Sequence, residues 1–382
     1  MTAPVIIIGS GFAAYQLVKA IRRNNSQLPI HVFTADDGHD YNKPDLSHVV
    51  SKQQLAGDLI RLCGESMAES QNFVLHANTT VDEINTENRT ISANGQCYSY
   101  SKLVLATGAS TFVPKMAGSA VEAVITLNSL KEYESRQDEL HLAKRVMVIG
   151  GGLIGTELAM DLASSGKHVV IVDPCESLMA NMLPESISYQ LAKKMRQQGT
   201  EIVLNSTVTE LNAIPDQKGL LATLSSGRDM KIDCVISAAG LVPNVALAHQ
   251  AGINVNRGVV VDSTLQTSAP DIYAIGDCAE INGKVMAYLQ PALLSANALA
   301  KTLLGSETEL VLPSMMVKIK TPLYPMQLGG RAVEGVQRWQ VDIDEAGSTV
   351  QSFGKEDVLA GFVVTQEHVK QAFPLLKELS AN

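Results

Sequence analysis

Arg145-VMVIGGGLIGTELAM-Asp161 is an apolar strand, three consecutive glycines, and a helix with no proline. Gly150 permits the tight turn, Gly152 lets a pyrophosphate approach the backbone, and Gly155 leaves room for the helix to pack on the strand. The free amides and dipole of that helix then face the phosphates. The next apolar run, Val169-Val170-Ile171-Val172, ends on Asp173, twenty-three residues after Gly150. A carboxylate there accepts both hydroxyls of an adenosine ribose and repels a 2′-phosphate. Pro174-Cys175-Glu176 supply no arginine to receive one, so the site suits NADH over NADPH. Glu157, expected in the first helical turn, either answers the dipole or contacts the nicotinamide side.

About 140 residues earlier the pattern occurs once more. Val5-Ile6-Ile7-Ile8 reads as a buried parallel strand, followed by Gly9-x-Gly11-x-x-Ala14 and a helix with Ala14, Leu17, Val18 and Ile21 on one face. Its second strand, Ile30 to Phe33, runs into Thr34-Ala35-Asp36-Asp37. Asp36 is the candidate ribose acid, with a solvated acidic turn as the alternative. Two such turns suggest two dinucleotides meeting face to face, as hydride transfer from a nicotinamide to a flavin requires. Thr267-SAPDIYAIGD-Cys278 indicates which site holds the flavin, because a carboxylate after glycine at that point reaches a ribityl hydroxyl. Asp277 is that residue. Thr107-Gly108 and Ala238-Ala239-Gly240 fit places where the chain crosses between nucleotide domains.

In this order the motifs resemble the two-dinucleotide-domain flavoprotein reductases over residues 4 to 310, which implies FAD and NADH as cofactors. Disulfide reductases of that family carry a cysteine pair beside the flavin, and its peroxidases and oxidases a single cysteine. The corresponding stretch, Asp40-YNKPDLSHVVS-Lys52, has none. The five cysteines show no C-x-x-C spacing and no metal set, and Cys63 reads as a small buried hydrophobe. Electrons therefore leave the flavin for an external acceptor. Lys43-Pro44-Asp45-Leu46-Ser47 is similar to a segment of the rubredoxin reductases, which puts Lys43 and Pro44 at the flavin, the lysine stabilising the reduced ring. His48 is read as a packing residue. Tyr288-Leu289-Gln290-Pro291 fits the segment approaching the pyrimidine end, with Gln290 a flavin contact. The resemblance implies a rubredoxin as acceptor, or a flavorubredoxin, a flavodiiron partner on which nitric oxide is reduced.

The expected fold class is α/β: two Rossmann-like dinucleotide-binding domains plus a small C-terminal α+β domain. The FAD domain is read as 1–112 and 243–308, the NAD domain as 113–242, and the C-terminal domain as 309–382. In the last, Val317 and Ile319, then Trp339, Val341 and Ile343, suggest an antiparallel sheet. A helix over Glu367 to Leu379 follows, in which Pro374 is a possible break. Trp339, the only tryptophan, is read as core. A net charge of −9 argues against nucleic acid and makes an acidic rubredoxin a difficult partner, unless a basic patch of Lys43, Lys318 and Lys320 receives it. No apolar run is long enough to cross a bilayer, and the chain enters a strand by Val5 with cysteines in no secretory pattern; a cytoplasmic protein is expected. Rival readings are a ferredoxin reductase of an oxygenase, a quinone-reducing dehydrogenase and an NADH-sensing signalling flavoprotein.

Overall fold

The computed structural model describes residues 3–319, 321 and 323–381. Its main strands are, in chain order, β1 (Val5–Ile8), β2 (Ile30–Phe33), β3 (Val74–His76), β4 (Lys102–Leu105), β5 (Arg145–Ile149), β6 (His168–Val172), β7 (Glu201–Val203), β8 (Cys234–Ser237) and β9 (Ile272–Ala274). Then come β10 (Met316–Ile319), β11 (Met326–Gly330), β12 (Arg338–Asp344), β13 (Gly347–Phe353) and β14 (Leu359–Gln366). The helices named below are α1 (Phe12–Asn24), α2 (Leu153–Ser164), α3 (Glu185–Gln197), α4 (Leu289–Leu303) and α5 (Ala372–Ala381). Contacts divide the chain into two units. The first comprises the chain up to Lys43, Gly57–Ser110 and Leu241–Leu312; the second comprises Pro44–Ala56, Thr111–Gly240 and Pro313 onward.

In the first unit five parallel strands lie in the order β9-β4-β1-β2-β3. All four residues of β1 are buried, as a strand covered on both faces requires. Strand order reverses at β1, so the turn after Ile8 opens at a topological switch point. Helix α1 buries Ala14, Leu17, Val18 and Ile21 in the same core as Ala296, Leu299 and Ala300 of α4. It stops where Arg22, in its last turn, donates to the carbonyls of Gln71 (2.6 Å), Leu28 (2.8 Å) and Asn25 (3.1 Å). Leu17 is fully buried, and truncating it to alanine loses about 2–5 kcal/mol.

The second unit has the parallel order β7-β6-β5-β8, again reversing at the strand that precedes the glycines. Its C-terminal part is an antiparallel sheet ordered β10-β11-β14-β13-β12. Helix α5 closes one core there through Ala372 and Leu375 against Phe362 and Val364. The fully buried Tyr324 donates its hydroxyl to Gln190 Oε1 of α3 at 2.7 Å, tying this sheet to the second nucleotide fold.

The fold class is therefore as expected, and three local expectations are corrected. Trp339 is not core: β12 is an edge strand paired only with β13, and the indole stays 45% exposed while its Nε1 donates to Ala332 O at 3.0 Å. The single C-terminal helix is a 3-10 turn, Glu367–Gln371, followed by α5. Pro374 is the third residue of α5, where the missing N–H has no intrahelical partner to lose. Cys63 is exposed at the start of a short helix, its Sγ 3.1 Å from Ser66 Oγ, and is not a buried hydrophobe.

Candidate active site

In the first unit, Gly9 N donates to Phe33 O (2.7 Å) and Ala106 N to Ile8 O (2.9 Å), pinching the chain between the ends of β2 and β4. Gly9 adopts φ +115°, and a Cβ on it would lie 2.1 Å from Ala106 O. No other residue fits. Gly11 is the opposite case, with nothing within 4 Å of a built Cβ. It caps α1 without a side-chain hydrogen bond, so the first-turn amides border open space. Amides left open in this way can receive a phosphate group. Ala14 is fully buried beneath the turn.

Gly276 (φ +75°) packs against Ala13, a built Cβ lying 2.8 Å from the alanine methyl, and this contact brings Asp277 to the same turn. Lys43 Nζ lies 3.7 Å from Asp277 Oδ2, so two residues 234 positions apart in sequence form one half-exposed ion pair. Thr107 and Gly108 are clasped by Asn244: Thr107 Oγ1 donates to Asn244 O (2.8 Å), Asn244 Nδ2 to Thr107 O (2.8 Å) and Asn244 N to Gly108 O (2.9 Å). Gln290 is the second residue of α4 and exposed. Directly after β2 stands Thr34, buried, its Oγ1 2.8 Å from Ser10 Oγ. Asp36 lies two residues further on and accepts the Asp37 amide at 3.0 Å.

In the second unit, Gly150 (φ +109°) would carry a Cβ 2.5 Å from Ala238 O. A Cβ on Gly155 would meet Gly150 O at 2.0 Å. Gly152 again has open space and caps α2 without a side-chain bond. Asp173, buried, accepts Gly151 N (2.5 Å) on one oxygen and Cys175 N (2.7 Å) on the other. Each such bond to a carboxylate is worth about 1.5–3 kcal/mol, and together they aim the group into the turn. Gly240 (φ +118°) accepts Phe112 N at 2.9 Å. Because α2 begins at Leu153, Glu157 sits in its second turn and not its first, which removes the reading as a dipole partner.

Pro44 opens a segment that folds with the second unit. Lys318 is exposed on the edge strand β10, and Lys320 lies outside the described residues. Among the described residues no cluster of three or more His, Cys, Asp or Glu is placed to hold a metal, and no helix is long and apolar enough to cross a membrane. Sequence reasoning missed Thr34, Asn244 and Asp161. Thr34 was accessible by counting from the strand end as for Asp173, and Asp161 as the lone acid in a buried helical run.

Two glycine turns, each at a strand-order reversal and each opening a helix, define a protein that binds two dinucleotides. The model of the pyridine nucleotide-disulphide oxidoreductase family matches residues 3–297, and the chain belongs to that family. A rubredoxin binding C-terminal domain matches residues 309–379. The chain is 55% identical, over 100% of its length and 99% of the relative's, to a nitric oxide reductase FlRd-NAD(+) reductase of Aliivibrio fischeri. It is 46% identical to the protein of the same name from Escherichia coli O157:H7, over 99% of this chain and 100% of that one. Among solved structures, a ferredoxin reductase for the CYP199A2 system of Rhodopseudomonas palustris aligns with TM-score 0.89 at 25% identity, covering 99% of this chain and 96% of that one. The NADH:rubredoxin oxidoreductase of Clostridium acetobutylicum shares the fold, with TM-score 0.82 at 21% identity, covering 100% and 96%.

Proposed function

We propose that the chain is an FAD-dependent reductase that takes electrons from NADH and delivers them to the rubredoxin domain of a flavorubredoxin, or to a rubredoxin, in nitric oxide detoxification in the cytoplasm. One combination carries this reading. A Lys43–Asp277 site with no cysteine in residues 40–52 is joined in one chain to a C-terminal sheet that matches a rubredoxin binding domain. Relatives sharing about half the sequence bear the corresponding name. The five cysteines are unpaired, which supports a reducing compartment.

In this reading residues 1–112 and 243–308 bind FAD, residues 113–242 bind NADH and residues 309–382 face the partner. Gly9, Gly11 and Ala14 admit the FAD pyrophosphate to the start of α1. Asp277 receives the ribityl chain, while Thr107, Gly108, Pro44 and Gln290 border the ring. Lys43 supplies the positive charge that favours the reduced, anionic ring. Gly150, Gly152 and Gly155 do for NADH what the first turn does for FAD. Asp173 takes the ribose hydroxyls, and Gly240 and Glu157 border the nicotinamide side. Bound FAD supplies the step from two-electron delivery to one-electron release, and the protein's part is alignment and exclusion of side reactions.

Anaerobic stopped flow tests the assignment. Protein reduced with NADH and mixed with oxidised rubredoxin, flavorubredoxin, ferredoxin or a short-chain quinone should reoxidise quickly only with the first two. Fast reoxidation by ferredoxin or quinone alone would move the acceptor to that class, and no fast acceptor would favour a signalling role. Lys318→Glu should slow rubredoxin reduction by roughly three- to tenfold at low salt and leave ferricyanide reduction unchanged. Equal loss of both activities would remove Lys318 from the docking surface.

A further inference from the structure

Residues Pro44–Ala56 fold with the second unit although Lys43 before them and Gly57 after them belong to the first. The attachment is specific. Asp161 of α2, 5% exposed, accepts Val50 N and Ser51 N on Oδ2, each at 3.1 Å, and the Ser51 hydroxyl on Oδ1. His48 Nδ1 stands 3.9 Å from that second oxygen. Leu46, Val49 and Val50 of the segment are buried. Two further bonds fix the far end, Tyr133 Oη donating to Gln54 O (2.6 Å) and Ala56 N to Gln137 Oε1 (2.9 Å). A carboxylate buried beside Leu158, Ala159, Met160 and Leu162 of the helix and bonded to a neighbouring loop has one evident effect: it removes the loop's freedom.

That loop begins immediately after Lys43, whose Nζ lies 3.7 Å from Asp277 Oδ2. We propose that Asp161 is a positioning residue for Lys43, acting through the 44–56 segment to fix the backbone from which the lysine reaches the flavin. The proposal rests on the reading of Lys43 as the cation at the flavin.

The test is a double-mutant cycle on the midpoint potential of the bound flavin, joined to tryptic cleavage after Lys52, an exposed residue of the segment. In Asp161→Ala the potential should fall toward that of Lys43→Met, and cleavage after Lys52 should be roughly tenfold faster as the segment opens. In the Lys43→Met background Asp161→Ala should leave the potential unmoved. Asp161→Asn keeps one acceptor for the two amides and should restore most of both readouts. A fall of equal size in both backgrounds would overturn the proposal, as would an unmoved potential in Asp161→Ala while Lys43→Met moves it. If Lys43→Met itself leaves the potential unchanged, the reading of Lys43 fails first and the proposal with it. His48→Ala combined with Ser51→Ala removes the two side-chain partners of the carboxylate and leaves the Val50 and Ser51 amides on it; should Asp161→Ala not fold, this variant should lower the potential in the same direction by a smaller amount, and an unmoved potential would overturn the proposal.

Discussion

The two nucleotide turns share a backbone and part ways at two side chains. In both, the first glycine donates to the last strand carbonyl, Gly9 to Phe33 and Gly150 to Val172, and the crossing strand closes the other side through Ala106 and Ala238. Yet the residue directly after the second strand is Thr34 in one and Asp173 in the other, and the third small residue is Ala14 in one and Gly155 in the other. The turn glycines answer to backbone geometry alone, which is identical in purpose in both units. Under the proposed function Asp173 would read the ribose of NADH, whereas the matching position of the first unit holds a hydroxyl 2.8 Å from Ser10 Oγ.

The third small residue gives the largest test of this contrast. A methyl on Gly155 would sit 2.0 Å from Gly150 O, backbone that can move only by lifting α2 off β5. Gly155→Ala should lose about 3 kcal/mol in urea unfolding and most of the NADH affinity. Ala14 already carries that methyl, so Ala14→Gly should lose only about 1 kcal/mol, the usual penalty of glycine in a helix. Similar losses at the two sites would mean that the helices sit at equal depth and that the difference in residue is accidental.

Next come the strand-end residues. Asp173→Ala should raise the KM for NADH and narrow the preference over NADPH by about tenfold or more, since it removes a charged acceptor worth about 1.5–3 kcal/mol. Thr34→Ala removes a neutral hydroxyl pair worth about 1 kcal/mol and should leave the FAD content of purified protein near that of the parent. Unchanged nucleotide selectivity would sink the argument for Asp173. Loss of FAD from the threonine variant would show that the first unit also reads its ligand at the strand end.

The same contrast explains how much could be read in advance. Periodicity and glycine spacing revealed both sheets and both turns, because Val5–Ile8 and Val169–Val172 have no other comfortable environment and Gly9 and Gly150 no other permitted substituent. The place of Asp173 at the end of its strand was legible by the same periodicity, and there it accepts two backbone amides. What stayed hidden depends on tertiary placement. Asp161 looks like any helical acid until the 48–51 turn folds onto it, and Lys43 and Asp277, 234 positions apart, meet only in the folded chain. Trp339 was misjudged because alternation cannot tell an edge strand from a central one.

The smallest effect separates the units by acid. In the first, His31 Nδ1 and His76 Nε2 are 3.0 Å apart on adjacent strands, and Phe33 stacks on His76 at 4.0 Å. Burial holds both imidazoles below their ordinary range, and the charge His31 would carry lowers His76 further. Because folding depresses these two, their contribution is complete above about pH 6.5 and is lost as pH falls from there. In the second unit the Arg145 guanidinium and neighbouring backbone amides lower Asp233 to about 2, so that contribution is present above the ordinary carboxylate range and fails only as pH approaches 2. Between pH 6.5 and 4.5 the first unit should therefore weaken alone. On the proposed assignment flavin release on heating reports the first unit, and Trp339, the sole tryptophan, reports the second. From pH 7 to pH 5 the flavin midpoint should fall by roughly 2–4 °C, limited by the partial exposure of both rings, while the tryptophan midpoint holds. His31→Phe should flatten the flavin curve. Parallel loss at both probes would mean that the units do not unfold independently or that the acid sensitivity lies outside the histidine pair, and the unchanged slope of His31→Phe would decide for the second.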